Sequence, residues 1–454
     1  MTGSSSEKIK SARLFAYEAL FQIFEKDGYT NLIIQNILRK FSLKKEERHL
    51  LTELVYGVCR NYNYLLWVIG QLSSRPIKKI DPAVRILLSL GLYQLIYLDR
   101  IPESAAVNET VKISKKVTHL GNSKFINGIL RNYIRNKDNF ILPQKEENLS
   151  LYYSLVYNVP EWLANRWIRE WGEKKTEEVL IAFQKTPLLC IRINTLKTTT
   201  DEIEKIFMAK GISFRRVPYL KDALIVREGA DLIFNDLLKE GSIYIQNPSS
   251  MAAAVILGAQ ENEKILDMCA APGSKTTYIA SMMNNKGAID AWDLYPHKIQ
   301  LIEENAKRLG IFIIHGEARD ATQPFSALYG TYDRVLLDAP CSGLGVIGHK
   351  PEIRWKRRES DLSEFPAIQQ KLLEEASHYL KAGGILVYST CTLNREENEN
   401  IVEAFLASHS DFESTNFEID TLGESKNGMM TLWPDDQERD GFFIAKLRRT
   451  HDET

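Results

Sequence analysis

Cysteine is scarce in this 454-residue chain: five residues, unevenly spaced and with no CxxC pair. That excludes a disulfide framework. It also argues against a metal centre, since the eight histidines do not cluster with the cysteines, and no metal is expected. Long apolar runs are missing too. The most apolar stretch, around Ile86 to Leu98, is interrupted by Ser89, Gly91 and Gln94 and is too short to span a bilayer. The Ser-rich start, Met1 to Lys10, is followed by no apolar segment of the secretory kind. A reducing, cytoplasmic compartment without a membrane partner is the expectation. There is no internal repeat of fixed period, and the dinucleotide-binding turn G-x-G-x-x-G is absent.

What remains is ordinary globular material, 44% apolar and 26% charged. At about 150 residues per domain, the length corresponds to roughly three folding units. The net charge of −1 conceals an asymmetry. Residues 1–150 hold 23 basic and 14 acidic side chains, whereas the rest hold 35 and 45. A basic head on an acidic body points to a polyanionic partner for the head.

Residues 1–140 predict an all-α domain. Leu14, Tyr17, Phe21 and Phe24 recur at helical spacing. Similar faces follow at Leu50 to Val58, Val84 to Tyr97 and Phe125 to Ile134, with Gly28, Pro76, Pro82, Pro102 and Gly121 between them. A polar segment, Asn139 to Ser150, reads as a linker. Residues 151–235 predict a small α+β module, with strands at Leu188 to Asn194 and Ala223 to Arg227 around a helix at Asp201 to Lys210. Over 236–454, strand candidates at Lys264 to Asp267, Gly287 to Asp293, Phe312 to His315, Arg334 to Asp338 and Ile385 to Ser389 alternate with helical patterns. That alternation predicts a mostly parallel, Rossmann-like α/β sheet with helices on both faces.

Two kinds of chemistry are written into the third region. Cys269, Ala270, Ala271, Pro272, Gly273, Ser274 and Lys275 form a small-residue turn between a strand and a helix, where a ligand can approach the backbone and meet free N–H groups. Asp293 ends the next strand, where an acid can hold ribose hydroxyls. Cys341 follows the strand candidate ending at Asp338, and Cys391 follows the one ending at Ser389. A lone free cysteine is most often an inert small hydrophobe. Two at the ends of strands in one sheet, each with polar neighbours, point instead to nucleophilic chemistry.

The segments Cys269-Ala-Ala-Pro-Gly-Ser-Lys-Thr276, Asp338-Ala-Pro-Cys-Ser-Gly343 and Ser389-Thr-Cys-Thr392 together resemble the Sun/Nop (Sun/Fmu) family of RNA 5-methylcytosine methyltransferases. Gln246-Asn-Pro-Ser-Ser-Met251, Leu188 to Lys197 and Asp440-Gly-Phe-Phe-Ile-Ala-Lys446 extend the likeness. The head resembles the antitermination factor NusB, notably at Glu53-Leu-Val-Tyr-Gly-Val-Cys-Arg60, Ile101 to Lys116 and Asn127 to Arg131. The combination is similar to bacterial methyltransferases of small-subunit (16S) ribosomal RNA.

The resemblance implies S-adenosylmethionine as cofactor, held or bordered by residues 269–275, Asp293, Asp320 and Asp338. Asp293 would take the ribose and Asp320 the adenine amino group. Cys391 would be the nucleophile, Cys341 would assist product release, and Asp338 would recognise the base. The expected partner is an unpaired loop cytosine of 16S ribosomal RNA, met by a monomer. Several positions depart from the family pattern. Ser274 replaces a usual glycine and Asn247 a frequent Asp. Gly348 and His349 replace commoner basic residues ahead of Pro351-Glu-Ile-Arg-Trp355, with an expected loss of some phosphate contact. Two rivals stand beside this reading: a DNA cytosine-5 methyltransferase, with Cys341 as nucleophile, and a NusB-like RNA-binding protein with an inactive catalytic domain.

Overall fold

The computed structural model describes residues 11–228, 233–435 and 439–450, so the Ser-rich start expected to carry no leader lies outside the described residues. The chain divides into two compact units, 1–184 with 349–359, and 185–348 with 360–454.

The first unit is helical: α1 (Ala12–Glu25), α2 (Thr30–Lys40), α3 (Lys45–Leu72), α4 (Pro82–Tyr97), α5 (Glu103–Val117), α6 (Leu120–Asn136), α7 (Leu149–Val156) and α8 (Glu161–Gln184). Local signals set the helix starts. Ser11 caps α1 by accepting from the Leu14 N–H, and Asp81 caps α4 just ahead of Pro82. The face of α1 differs from its sequence pattern. Phe15, Ala16, Ala19, Leu20 and Ile23 are its most deeply buried residues, and Leu14, Phe21 and Phe24 are only partly covered. The buried positions recur at i, i+3, i+4 and i+7 and form one stripe against α2, α3, α4 and α5, with the residues read from the sequence pattern on its flank. The sequence places a linker near 139–150; the packing groups Leu149–Gln184 with the helices before it.

The second unit opens with β1 (Leu189–Ile193), α9 (Thr200–Ala209), β2 (Ser213–Val217), β3 (Leu220–Glu228), α10 (Ile233–Glu240) and β4 (Ile243–Ile245). The strands form an antiparallel sheet in the order β2-β3-β1-β4. One face packs Ile191, Ile193, Leu224 and Val226 against Ile203, Phe207, Phe234 and Leu237 of the helices. The other face, through Cys190, Ala223 and Ile225, shares a core with the following sheet.

That sheet is built from α11 (Pro248–Leu257), β5 (Lys264–Asp267), α12 (Ser274–Met282), β6 (Ala288–Asp293), α13 (Pro296–Leu309), β7 (Ile314–Ala318) and β8 (Tyr332–Asp338). The chain then supplies 349–359 to the first unit, including the short α14 (Ile353–Lys356), and resumes with α15 (Glu364–Tyr379), β9 (Leu380–Thr390) and α16 (Glu399–Ser408). It closes with β10 (Phe412–Ser414), a small hairpin of β11 (Glu418–Ile419) and β12 (Gly423–Glu424), β13 (Met429–Leu432) and β14 (Phe442–Arg449).

The strand order is β10-β14-β9-β8-β5-β6-β7, with β13 also on β14. The five strands from β9 to β7 are parallel, and β10, β13 and β14 add an antiparallel edge. Side chains alternate across the sheet. Ile265, Leu336, Val387 and Ile444 face α11 and α12. Leu266, Val335, Leu337, Leu386, Tyr388 and Phe443 face α15 and α16. Period-two burial with helices on both faces is the layered α/β architecture read from the sequence.

Residues 349–359 have a different setting from the one their sequence implies. Glu352 and Arg354 are almost wholly buried within the helical unit. Glu352 accepts from the Thr30 N–H (3.2 Å) and hydroxyl (2.9 Å). The Arg354 guanidinium donates to the carbonyls of Asn158 (3.0 Å), Tyr157 and Phe183 (each 3.3 Å). Trp355 donates its indole N–H to the Cys59 carbonyl at 2.7 Å. An arginine buried like this cannot contact phosphate. Its charge satisfies orphan carbonyls of the fold.

Candidate active site

Four adjacent parallel strands, β9, β8, β5 and β6, end in Thr390, Asp338, Asp267 and Asp293. Parallel strands end on one edge, so the turns after them gather there. The strand order reverses at β5, which has β6 on one side and β8 on the other. At such a switch point the connections leave to opposite faces and open a crevice.

The turn after β5 is pinned by its own backbone. The Ala270 N–H reaches the Trp292 carbonyl (2.8 Å), and the Gly273 N–H reaches Ala270 (2.7 Å). Gly273 has φ +92°, a conformation that costs glycine little, and it precedes α12 with no side-chain cap. Ser274 fills the first position of the helix, and its carbonyl accepts from the buried Arg192 at 2.6 Å. Asp293, buried at the end of β6, accepts from the Ala271 N–H (3.3 Å) and pairs with Lys298 (3.1 Å). Asp267 is fully buried; its Oδ2 takes the Thr276 hydroxyl at 2.7 Å, while Oδ1 has no hydrogen-bond partner of normal geometry. Burial, opposed by the Thr276 bond, pushes its carboxyl up to about 7.

Cys341 and Cys391 come together, with Sγ atoms 3.3 Å apart. The Cys341 thiol is pushed well above its ordinary value. The causes are its hydrogen bond to Cys391, burial, and the negative charge of Cys391, Glu397 and Asp338. Asp338 is held from two sides, by Lys275 Nζ at 2.6 Å and by the Ser389 hydroxyl at 2.8 Å. The Lys275 side chain therefore serves Asp338, whereas its neighbours Cys269 to Ser274 shape the turn. Its buried ammonium also lies over the Phe442 ring, 5.3 Å from the centroid.

The remaining candidates have quieter surroundings. Cys269 is packed among apolar residues, and burial together with the nearby Asp267 raises its thiol out of the reactive range. Asp320 is exposed just past β7, where it folds back on Thr322, accepting from its N–H (3.0 Å) and hydroxyl (2.7 Å). Those bonds hold its carboxyl below the usual range. Asn247 caps α11 through the Ser249 N–H and donates its amide to Asp440 at 2.8 Å. An Asp at 247 would oppose a second carboxylate there, so the departure from the family pattern is matched by its neighbour.

Sequence reasoning missed the supporting groups: Ser389 and Lys275 as the clamp on Asp338, and the crossing at which the Gly441 N–H meets the Gly345 carbonyl. Their signal was present, since Ser389 opens the Ser-Thr-Cys-Thr motif and Gly441 lies in the run Asp440 to Lys446, but only the sheet register brings them together. Among the described residues no group of His, Cys, Asp and Glu is arranged to hold a metal, and no helix is long and apolar enough to cross a membrane.

Three family models cover most of the chain: NusB over residues 10–135, the ferredoxin-like domain of RsmF/B-like methyltransferases over 159–232, and 16S rRNA methyltransferase RsmB/F over 254–448. The probable ribosomal RNA small subunit methyltransferase B of Synechocystis is 38% identical, and that of Bacillus subtilis 35% identical. Each alignment covers 97% of this chain and 99% of the relative. The crystal structure of PH0851 superposes with a TM-score of 0.84 at 26% identity, covering 97% of this chain and 99% of that one.

Proposed function

This chain belongs to the RsmB/F family of S-adenosylmethionine-dependent ribosomal RNA methyltransferases, and we propose that it methylates C5 of an unpaired cytosine in 16S ribosomal RNA through a covalent cysteine adduct. One observation carries this reading: two thiols 3.3 Å apart beside a carboxylate clamped by a lysine and a serine.

The residues at the sheet edge fit the cofactor. The uncapped start of α12 offers N–H groups, buried Asp293 offers a carboxylate for hydroxyls, and Asp267 Oδ1, which has no hydrogen bond of normal geometry, offers an acceptor for an ammonium. When bound, S-adenosylmethionine supplies an electrophilic methyl group on a sulfonium. Residues 269–275, Asp293 and Asp320 would hold it.

C5 of cytosine is a weak nucleophile, and a thiolate added at C6 makes it enamine-like. We assign that addition to Cys391. The likeness to the family nominates it, and Glu397 and Asp338 disfavour a negative charge on Cys341. A thiol that keeps its proton is a poor nucleophile; in the later elimination a base takes the C5 proton, the C6–S bond breaks, and the departing Cys391 thiolate can take the Cys341 proton. Asp338, fixed by Lys275 and Ser389, would receive the N3/N4 edge of the base and discriminate cytosine from uracil. Both reacting atoms are reachable only in an unstacked base, which is cheapest to extrude from a loop. The basic, NusB-like head would contribute phosphate contacts.

The test is a denaturing gel with 16S ribosomal RNA and labelled cofactor. Cys341→Ala should accumulate a protein–RNA adduct that disappears in the Cys341→Ala/Cys391→Ala double variant, and the parent enzyme should leave 5-methylcytosine. An adduct lost in Cys341→Ala and kept in Cys391→Ala would favour the DNA-type assignment of the nucleophile. No adduct and no methyl transfer would favour a binding protein.

A further inference from the structure

The segment Asn394-Arg-Glu-Glu-Asn398 follows the Cys391 turn, and the reaction as described uses only the charge of its Glu397. Within it, Glu397 is completely buried. Its carboxylate meets four donors. Oε2 accepts from the Ser342 N–H at 2.8 Å and from Gln369 Nε2 at 3.1 Å. Oε1 accepts from the Ser342 hydroxyl at 2.5 Å and from Asn394 Nδ2 at 3.0 Å. These partners come from different places in the chain. Ser342 directly follows Cys341, Asn394 belongs to the turn after Cys391, and Gln369 reaches in from α15 while also donating to the Pro340 carbonyl at 2.9 Å. A second strap runs parallel, since the Ser342 and Thr392 hydroxyls lie 2.8 Å apart.

A buried carboxylate is expensive unless its lone pairs are filled. Here two main-chain or amide donors on one oxygen and a hydroxyl with an amide on the other complete the shell. The groups that bear the cost of this ion are the residues next to the two thiols, and an apolar side chain would fill the same space without tying them together.

We propose that Glu397 is a positioning residue for the methyl transfer: it ties the Cys341 turn to the Cys391 turn through Ser342 and Asn394, and so fixes the spacing and proton arrangement of the two thiols. The inference rests on the cytosine-C5 reading above. The titratable groups around Cys341 include Cys391, Glu397, the Tyr388 phenol and Asp338, which is paired with the Lys275 ammonium. A negative charge at 397 keeps the proton on Cys341.

The experiment uses the full chain with Glu397→Gln, Glu397→Asp and Ser342→Ala. Alkylation of Cys341 and Cys391 by iodoacetamide, resolved by mass spectrometry across pH 6–10, reads the thiols without RNA. Glu397→Gln keeps the size of the side chain but removes the charge and turns an amide N–H₂ toward other donors. Cys341 should then alkylate at least about fivefold faster at pH 8, with its pH midpoint displaced downward and that of Cys391 little changed. In the same variant kcat for methyl transfer should fall about 30-fold or more. KM for RNA and affinity for S-adenosylhomocysteine should stay within about threefold, and Glu397→Asp should recover part of the loss.

A purely structural Glu397 would lower melting temperature and cofactor affinity together and would speed both thiols alike; that result, or a folded Glu397→Gln with parental alkylation and kcat, overturns the proposal. Should Glu397→Gln fail to fold, Ser342→Ala removes one of the four donors and the strap to Thr392 while leaving the charge, and must lower kcat at smaller size without displacing the Cys341 midpoint downward; a parental kcat there overturns it as well. Failure of the cytosine-C5 reading looks different: the parent would leave no 5-methylcytosine, while the alkylation contrast between parent and variant would persist.

Discussion

Gly345 passes Gly441 so closely that a Cβ on Gly345 would stand 2.1 Å from the Gly441 carbonyl oxygen. The same residue donates its N–H to the Cys391 carbonyl at 3.0 Å, and Gly441 donates to the Gly345 carbonyl at 2.8 Å. The crossing therefore ties the loop after Cys341, the turn at Cys391 and the start of β14 together through main-chain atoms. No flexible side chain is available to yield.

Gly345→Ala should accordingly move backbone rather than repack. Overpacking of this kind typically costs about 1–3 kcal/mol. Methyl transfer should fall by more than that stability loss explains, because the displaced atoms carry both thiols. Cofactor affinity, measured by calorimetry with S-adenosylhomocysteine, should change little, since the turn at 269–275 lies on other strands. Parental activity in the folded variant would contradict the packing argument.

Asn247→Asp tests why this chain departs from its family. The amide that now donates to Asp440 would become a second carboxylate beside it. The like-charge pair raises the pKa of one member, so the penalty is present above the ordinary carboxylate range and fades as pH falls through it. A loss of about 1–2 kcal/mol at pH 8, shrinking by pH 4–5, is expected from thermal melts. Asn247→Asp paired with Asp440→Asn should regain most of the stability.

Asp267 gives the site its own pH dependence. Below the ordinary Asp value the carboxyl is protonated in the folded and unfolded chain alike. From there to about 7 the unfolded chain releases the proton and the folded chain keeps it. Stability therefore falls as pH rises through that window and stays lower above it. Asp267→Asn, which can still accept from Thr276, should remove this slope. In melts without cofactor it should gain about 2–4 kcal/mol on the parent between pH 4 and pH 8, while binding S-adenosylhomocysteine more weakly.

The helical unit should not reach full stability without residues 349–359. Residues 11–184 alone leave the Tyr157, Asn158 and Phe183 carbonyls without Arg354 and the Thr30 N–H without Glu352. Removing one partner of such buried charged contacts costs about 3 kcal/mol or more, roughly 6–12 °C for a unit of this size. Joining 349–359 to residues 11–184 by a Gly/Ser linker should restore the difference. Equal melting temperatures for the two chains would show that the insert is dispensable.

Much of the site could be read from local sequence, because strand-end chemistry is local. The run Lys264–Asp267 followed by small residues specifies a strand, a tight turn and a helix. Cys341 and Cys391 follow apolar runs that could only be buried strands. The edge strands were harder to see. β14 became legible only with its partners, since Phe442-Phe-Ile-Ala-Lys-Leu-Arg-Arg fits an interior and an edge strand equally well until β9 and β13 pair with it.

What the sequence by itself determined was the set of groups the protein brings to its chemistry, namely two thiols, a row of strand-end carboxylates, a glycine-bearing turn and a basic helical head. Each is fixed by backbone propensity and hydrophobic period, which act over a few residues. Tertiary structure decided what each group faces. Lys275 joins Asp338 across 63 positions of sequence, Ser342 meets Glu397 across 55, and Thr30 meets Glu352 across 322. Whether a buried charge is an ion pair, a strap between turns or a plug in a helical core depends on desolvation and on donors set by strand order, and neither can be read from the residues beside it.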